Sequence, residues 1–411
     1  MASHVEQPCP SNTRKELSKL LKYILWPAVM MMCVVTLSSC VNEDGPTLGS
    51  DPEEDAVLVL NVGLLGDTQS GRIVDDNTLI RSLRVVIISD GEVEYNDKIY
   101  LERPVEEYHL MYLVSVGHKQ IYLIANAEDI TLYDTSAAAP TTAAEFFKRF
   151  PQGSTGFEDA VNKLYFDNTY YESALTDSHP LPLTSKYEID ALPGRTQEFT
   201  FWLVRAATKY TVHFENKRTS PIYLNELSIS SLYNQMYLMP QVGSDQNEIS
   251  GMYWIDWLNH VAELSHEEEN LADPDFNTNM GWITDYSIPG SATSFVFYPV
   301  KDETTRLEIP GLQTSAGQGA QPGTLNLGPY YATEGKNIVN GAQSYTLSLK
   351  LTDTKDSQQV DLSRALPTLG SLFRNTHVII YITFDESYMH VYGQIQGWDE
   401  HDAYGKVTEE K

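Results

Sequence analysis

Apolar residues along this chain fall into short runs, many of period two, broken by Gly, Asp, Asn and Pro, the pattern of β-strands joined by turns. The first run, AVLVLNVGLL (residues 56–65), is apolar on both faces and reads as a strand buried on both sides or lying deep between sheets. SLRVVIISDGEVEYNDKIYL follows as two β-rich runs around an Asp90-Gly91 turn, then HLMYLVSVG and KQIYLIANAED with Gly117 at their turn. In RTQEFTFWLV, Phe199 and Phe201 point one way and Thr200 and Trp202 the other. TKYTVHFEN, YLNELSISSLYNQMYLMP, SATSFVFYPV, TRLEIPGL, SYTLSLKLTD, THVIIYITF and MHVYGQIQGW continue the strand pattern.

Two segments carry helical spacing instead: TTAAEFFKRF (141–150), bounded by Pro140 and Pro151, and residues 254–264. Residues 151–182 read as a long irregular loop with short elements, and no short-period repeat is present. Short strands, frequent turns and few helices predict an all-β fold of two β-sandwich domains in tandem, residues 56–208 and 209–411, with a few short helices in loops.

The N-terminus changes the picture of where these domains operate. YILWPAVMMMCVVTL (23–37) has the length of a signal-peptide apolar region and falls short of the roughly 18 to 20 residues of a membrane-spanning helix. Arg14, Lys15, Lys19 and Lys22 supply the basic flank before it, so residues 1–39 read as a signal peptide and the chain as exported. Leu37-Ser38-Ser39-Cys40 resembles a bacterial lipobox, in which the cysteine is acylated with palmitate-type chains and becomes the first residue after cleavage. Several acyl chains hold a soluble domain at a membrane where one does not. Cys9 and Cys33 would be removed, so no internal disulfide is available to the mature chain and its stability rests on burial and hydrogen bonding. Residues 40–55, polar and containing Gly and Pro, read as a flexible tether. Its opening Val-Asn-Glu-Asp resembles the acidic tag of surface-exported lipoproteins of the Bacteroides group, and reads equally as a solvated linker.

The formal net charge is −28, and loss of the signal peptide makes it more negative, because that segment carries more basic than acidic residues. Such a chain repels nucleic acid and anionic lipid surfaces. No G-x-S-x-G, H-E-x-x-H or glycine-rich phosphate loop is present, so the sequence points away from an enzyme and implies no cofactor. Asp273, Asp275, Asn277 and Asn279 alternate as calcium ligands can, but Thr278 stands where an EF-hand loop needs glycine, and a polar loop is the better reading. His266-Glu267-Glu268-Glu269 reads as a solvated charge run. Tyr253, Trp254, Asp256 and Trp257 read as core, or as a sugar-stacking platform that would make the chain a surface glycan-binding lipoprotein of a polysaccharide-uptake system.

Several scattered stretches resemble the fimbrillin superfamily of Bacteroidales, the pilus-subunit lipoproteins. They are IVDDNTLIRSLRVVIISDG with KQIYLIANAED; Leu181-Pro182-Leu183-Thr184 followed by Val204-Arg205-Ala206-Ala207-Thr208-Lys209; Tyr237-Leu238-Met239-Pro240; Phe297-Tyr298-Pro299; Phe373-Arg374-Asn375-Thr376-His377; and the closing Gly397-Trp398-Asp399. The resemblance implies two transthyretin-like β-sandwich domains, lipid anchoring at Cys40 in the outer membrane, and partners in other fimbrial subunits and a processing protease. It also implies cleavage after an arginine in the loop behind the first strand, which maps onto Arg72, followed by Ile73 where small residues are common in the family. Arg72 is the first Arg or Lys after Cys40, and it reads otherwise as a solvated loop residue. Polymerisation by donor-strand exchange would follow. Losing residues 56–65 would open an apolar groove with unpaired edges, which an extended segment of a neighbour would refill. Met389, Val391 and Ile395, apolar on one face of the last strand, are the candidate donor residues; the same strand reads otherwise as an ordinary edge strand. Stalk, tip and anchor roles are not distinguished by these residues.

Overall fold

The computed structural model describes residues 55–65, 78–134, 139–173, 175, 179–240, 248–249, 252–253, 289–299, 306–314, 319–335, 345–354, 358–366, 372, 374–386 and 388–397. The described chain is all-β, arranged as packed sheets. Its first strands are β1 (Asp55–Leu64), β2 (Ile80–Ser89), β3 (Glu92–Val105), β4 (Glu107–Ser115) and β5 (Gly117–Ala125). After β6 (Thr131–Asp134), β7 (Thr141–Thr142) and β8 (Leu164–Asp167) come β9 (Leu183–Ala191) and β10 (Thr196–Arg205).

The long strands form one seven-stranded sheet in the order β3-β2-β5-β9-β10-β1-β4. β9 and β10 pair only at Val204–Thr184 and Arg205–Leu183, so the sheet folds over at that corner into two layers. Alternation along each strand then sends one set of side chains between the layers: Leu58, Leu60 and Val62 meet Val85, Ile87, Ile121, Leu123, Phe201 and Leu203 in a closed apolar cluster.

The unbroken apolar runs of β2 and β5 have a second use. Their other faces, with Val86, Ile88, Tyr122 and Ile124, pack against the segment between β5 and β9, where α1 (Ala143–Phe147) and α2 (Phe157–Val161) contribute Phe146, Phe147 and Phe157. α1 starts where the Thr142 hydroxyl accepts a hydrogen bond from the Glu145 amide at 3.2 Å. It is shorter than the expected 141–150 because Thr141 and Thr142 pair with β6. The short elements expected within 151–182 are α2, β8 and a 3-10 turn (Asn168–Glu172), and Phe166 and Tyr171 of this segment belong to the core.

Burial of β1 differs from the expectation of two buried faces. Ala56, Leu58, Leu60, Val62 and Leu64 are sealed in, whereas Val57, Val59 and Asn61 on the outer face are half-buried. The physical reason is layer position: no described element packs over the outer side of β10-β1-β4, so apolar character there reflects strand propensity more than enclosure.

The second half comprises β11 (Thr208–Asn216), β12 (Ile222–Tyr233), β13 (Gln235–Tyr237), the two-residue strands β14 (Glu248–Ile249) and β15 (Met252–Tyr253), β16 (Ala292–Tyr298), β17 (Leu307–Ile309) and β18 (Gly323–Ala332). β19 (Thr346–Asp353), β20 (Gln359–Ala365), β21 (Thr376–Phe384) and β22 (Met389–Gly397) complete it. Sheets β18-β11-β21-β22 and β16-β12-β19-β20 enclose Val212, Phe214, Leu227, Ile229, Leu347, Leu349, Ile380 and Ile382. β13 leaves this sandwich to pair with β8, so one small sheet draws strands from both sides of residue 208.

Candidate functional site

β1 lies inside its sheet, between β10 and β4. It runs parallel to β10 along its length, from Val57–Thr196 to Leu64–Leu203, and antiparallel to β4, from Asp55–Ser115 to Gly63–Glu107. Both of its backbone edges are therefore paired, and its inner side chains fill the cluster between the layers. On the outer face the Asn61 side chain bridges the two neighbours: its amide donates to Glu198 Oε1 at 2.8 Å, and its Oδ1 lies 2.7 Å from His109 Nδ1. Gly63 is covered by the Trp202 ring, close enough that a Cβ on Gly63 would lie 2.9 Å from Cζ3. The Trp202 backbone is fixed in turn by the Tyr187 hydroxyl, which donates to its carbonyl at 2.9 Å and accepts from its amide at 2.7 Å.

Where β1 ends, the chain reaches a buried polar junction. Arg205, fully enclosed, donates from Nη1 to the Leu65 carbonyl at 2.8 Å and to Asn375 Oδ1 at 3.3 Å. Asn375 stands at φ +60°, a left-handed conformation that asparagine tolerates, and its amide donates to the Ala207 carbonyl at 2.7 Å. Beside it Arg374 pairs with Glu334, Nε to Oε1 at 2.9 Å, both side chains only 2% exposed. The remaining Arg374 donors reach the Leu238 carbonyl at 3.0 Å and the Tyr237 carbonyl at 2.8 Å. Thr184 Oγ1 donates to the same Leu238 carbonyl at 2.9 Å. Asn126, at φ +59°, closes a further corner by donating to the carbonyls of Leu79 and Leu181 and accepting from the Arg81 amide at 2.8 Å.

These are charged and polar groups withdrawn from water, tolerable only because each is hydrogen-bonded. They come from distant points of the chain, and all of these side chains but that of Glu334 lie in the short stretches Ala125-Asn126, Leu183-Thr184, 205–209, 237–240 and 374–377. His377 next to them is buried at 2% exposure, with Nε2 2.9 Å from Thr211 Oγ1. Burial, then the nearby Lys209 and His213, push its pKa well below the ordinary histidine value. It is therefore neutral at physiological pH.

The structure brings β1 and the junction together. Cys40, Arg72 and Ile73 lie outside the described residues, as do the expected helix at 254–264, His266 to Glu269, Asp273 to Asn279, and Trp254 and Trp257 of the aromatic cluster. Met389, Val391 and Ile395 fall on β22, an edge strand paired antiparallel with β21, where Ile395 is opposite Val378 and Val391 opposite Ile382. Met389 and Val391 are half-buried and pack against the core of the second sandwich. Glu334, the carboxylate that neutralises Arg374, carries no signal in the sequence: it lies 40 residues from its partner in the loop-like text after β18. Asn61 and Gly63 were readable as interruptions of an apolar run, but their partners were not. No helix among the described residues is long and apolar enough to cross a membrane.

No known protein-family profile matches the chain, and no curated protein matches it. Among solved structures it is similar to the tip fimbrial protein Mfa3 of Porphyromonas gingivalis, with a C-terminal truncation, at 12% identity and a TM-score of 0.46, over 84% of this chain and 100% of that one. It is similar to a fimbrilin (FimA) of the same organism at 9% identity and a TM-score of 0.42, over 85% and 99% of the two chains. A fimbrial assembly protein of Parabacteroides distasonis matches at 11% identity and a TM-score of 0.39, over 82% and 93%.

Proposed function

We propose that this chain is a structural fimbrial subunit of the fimbrillin type. It is exported as a lipoprotein anchored through Cys40 in the outer membrane and assembled after a protease cuts behind Arg72. The observation that carries the reading is the position of β1: a strand paired on both edges, filling a slot between β10 and β4, and followed at once in the chain by the segment containing Arg72. The buried Leu58, Leu60, Val62 and Leu64 of β1 and the adjoining buried Leu65 contribute about 1.5–3 kcal/mol each, together roughly 8–15 kcal/mol. That is of the order of a whole domain's stability, about 5–15 kcal/mol. A subunit without β1 therefore needs another strand in the same slot, which is a drive toward polymerisation and supports adhesion from the cell surface. The last strand, β22 with Met389, Val391 and Ile395, is the candidate donor within this chain; it is paired with β21 and would have to leave it, and its fit to the slot depends on how its side chains match those of β1.

Digestion of the purified lipoprotein with a trypsin-type protease, with N-terminal sequencing and sizing of the products, tests the proposal. A new start at Ile73 together with a ladder of oligomers is the expected result. Cleavage elsewhere with a product that stays monomeric would refute it.

A further inference from the structure

We infer that the β1 slot reads the sequence of the strand that fills it, through Trp202, Glu198 and His109, and that it selects an extended strand carrying Asn-apolar-Gly at the positions of residues 61–63. This rests on the preceding reading that β1 is replaceable, and it adds which strands can replace it.

Three features fix the register of the occupant independently. The inner positions held by Leu58, Leu60, Val62 and Leu64 demand apolar side chains at every second residue. On the outer face, Glu198 from β10 and His109 from β4 converge on the Asn61 side chain from opposite sides, and an amide satisfies both because it donates and accepts at once. Two positions on, Trp202 lies against Gly63, with Cζ3 at 2.9 Å and Cε3 at 3.2 Å from where a Cβ would stand. Glycine within a strand commonly marks such a close approach by another group. Beyond it, Arg205 holds the carbonyl of Leu65 and so marks the end of the slot. A one-residue slip would put Asn61 in the core and a branched side chain under Trp202.

The slot thereby discriminates by exclusion as well as by fit. In β22 the apolar residues Met389, Val391 and Ile395 share a face with Gly393, while the opposite face presents His390, Tyr392, Gln394 and Gln396. With the apolar face inward, whichever register is chosen, one of these long side chains meets Trp202. With a glycine of β22 under Trp202, glutamine or tyrosine enters the core. β22 of another copy can therefore enter only if the Trp202 ring swings off the strand, whereas a strand patterned like β1 enters with the ring in place.

The test uses the full chain, cut behind Arg72 and exposed to synthetic peptides with lysines added for solubility. The peptides are residues 55–65, the same peptide with Gly63→Val, and residues 388–398; replacement of β1 is followed by native mass spectrometry. The unmodified 55–65 peptide should exchange, the Gly63→Val peptide at least tenfold less tightly, and the 388–398 peptide least. In Trp202→Ala protein the discrimination against valine should shrink to threefold or less. Equal exchange of the glycine and valine peptides, discrimination that survives Trp202→Ala, or a 388–398 peptide that binds as well as 55–65 would each overturn the selection. Failure of the unmodified 55–65 peptide to exchange at all would instead overturn strand replacement itself.

Discussion

Replacing Arg374 with methionine should be among the most damaging single changes in the molecule, and the size of the effect can be worked from its partners. The substitution removes the guanidinium that neutralises Glu334, at 2% side-chain exposure, and leaves that carboxylate its hydrogen bond from the residue 374 amide; breaking a buried charge pair in that way costs about 3–5 kcal/mol. It also removes donors from the carbonyls of Tyr237 and Leu238, at about 1–3 kcal/mol for each acceptor left without a partner. Leu238 keeps Thr184 as a donor, so the lower end applies to it. The sum, about 5–9 kcal/mol, approaches the stability of a typical domain, about 5–15 kcal/mol. The double change Arg374→Met with Glu334→Leu removes the stranded charge and should recover about 2–4 kcal/mol of the loss, because a buried ion pair replaced by apolar groups is often neutral. Urea unfolding at pH 7, with the slope against denaturant held common, measures both. A single variant within about 1 kcal/mol of the parent, or a double variant no more stable than the single, would refute the claim that a buried charge pair clamps the junction.

Other outcomes follow from the same geometry. Leu60→Ala should destabilise by about 2–5 kcal/mol in thermal or urea unfolding, while Val59→Ala on the half-buried face of the same strand should fall below about 1 kcal/mol; equal effects would contradict one-sided burial. Asn126→Ala removes side-chain bonds to Leu79, Leu181 and Arg81 at a left-handed position and should cost about 2–4 kcal/mol, with Asn126→Gly less harmful because glycine accepts that backbone. For His377 the folded pKa is depressed, so its contribution is fully present above the unfolded value of about 6.5 and is lost as pH falls toward the folded value, by up to about 1.4 kcal/mol per pH unit. His377→Gln should flatten the stability profile in that window relative to the parent, and a profile of unchanged slope would count against it. Glu128 also feels burial, which raises its pKa, but its bonds to Arg84 and Lys98 outweigh this and hold it below the usual value. Glu128→Gln should therefore weaken the acid sensitivity of folding below about pH 4.5, read from urea midpoints.

How far the sequence reveals all this depends on whether a feature is local. The alternation of β10 was legible because Phe201 and Trp202 differ in side within one strand, and the structure puts Phe201 in the core and Trp202 outside it. The two-sided burial assigned to β1 belongs instead to β2 and β5, since an apolar run states that a strand can be covered on both faces and not which strand will be. The core helices after β5 were half visible: Phe146 and Phe147 lay inside an expected helix, but Phe157 follows the Gly- and Ser-containing text of residues 151–156. The junction was visible as resemblance and invisible as physics. Arg205 and Arg374 end or precede strands, where a sequence suggests solvent, and only tertiary pairing with Asn375 and Glu334 shows that both are enclosed.

The energetics of β1 separate two events that are easily merged. Cutting the chain behind Arg72 breaks one peptide bond, whereas withdrawing β1 uncovers side chains worth roughly 8–15 kcal/mol and breaks pairing with both β10 and β4. Cleavage alone should therefore leave β1 seated, held non-covalently, with Arg205 still on the Leu65 carbonyl. Release is favourable only when an incoming strand restores the same contacts as it enters, beginning where β1 is least secured. The Asp55 end offers that opening: it is half-exposed and its outer neighbours Leu113 and Met111 are solvent-exposed, while the Leu65 end is locked into the junction. In the proposed assembly the protease would grant permission and the competitor strand would supply the driving force, so assembly would be governed by how well the next strand matches the slot.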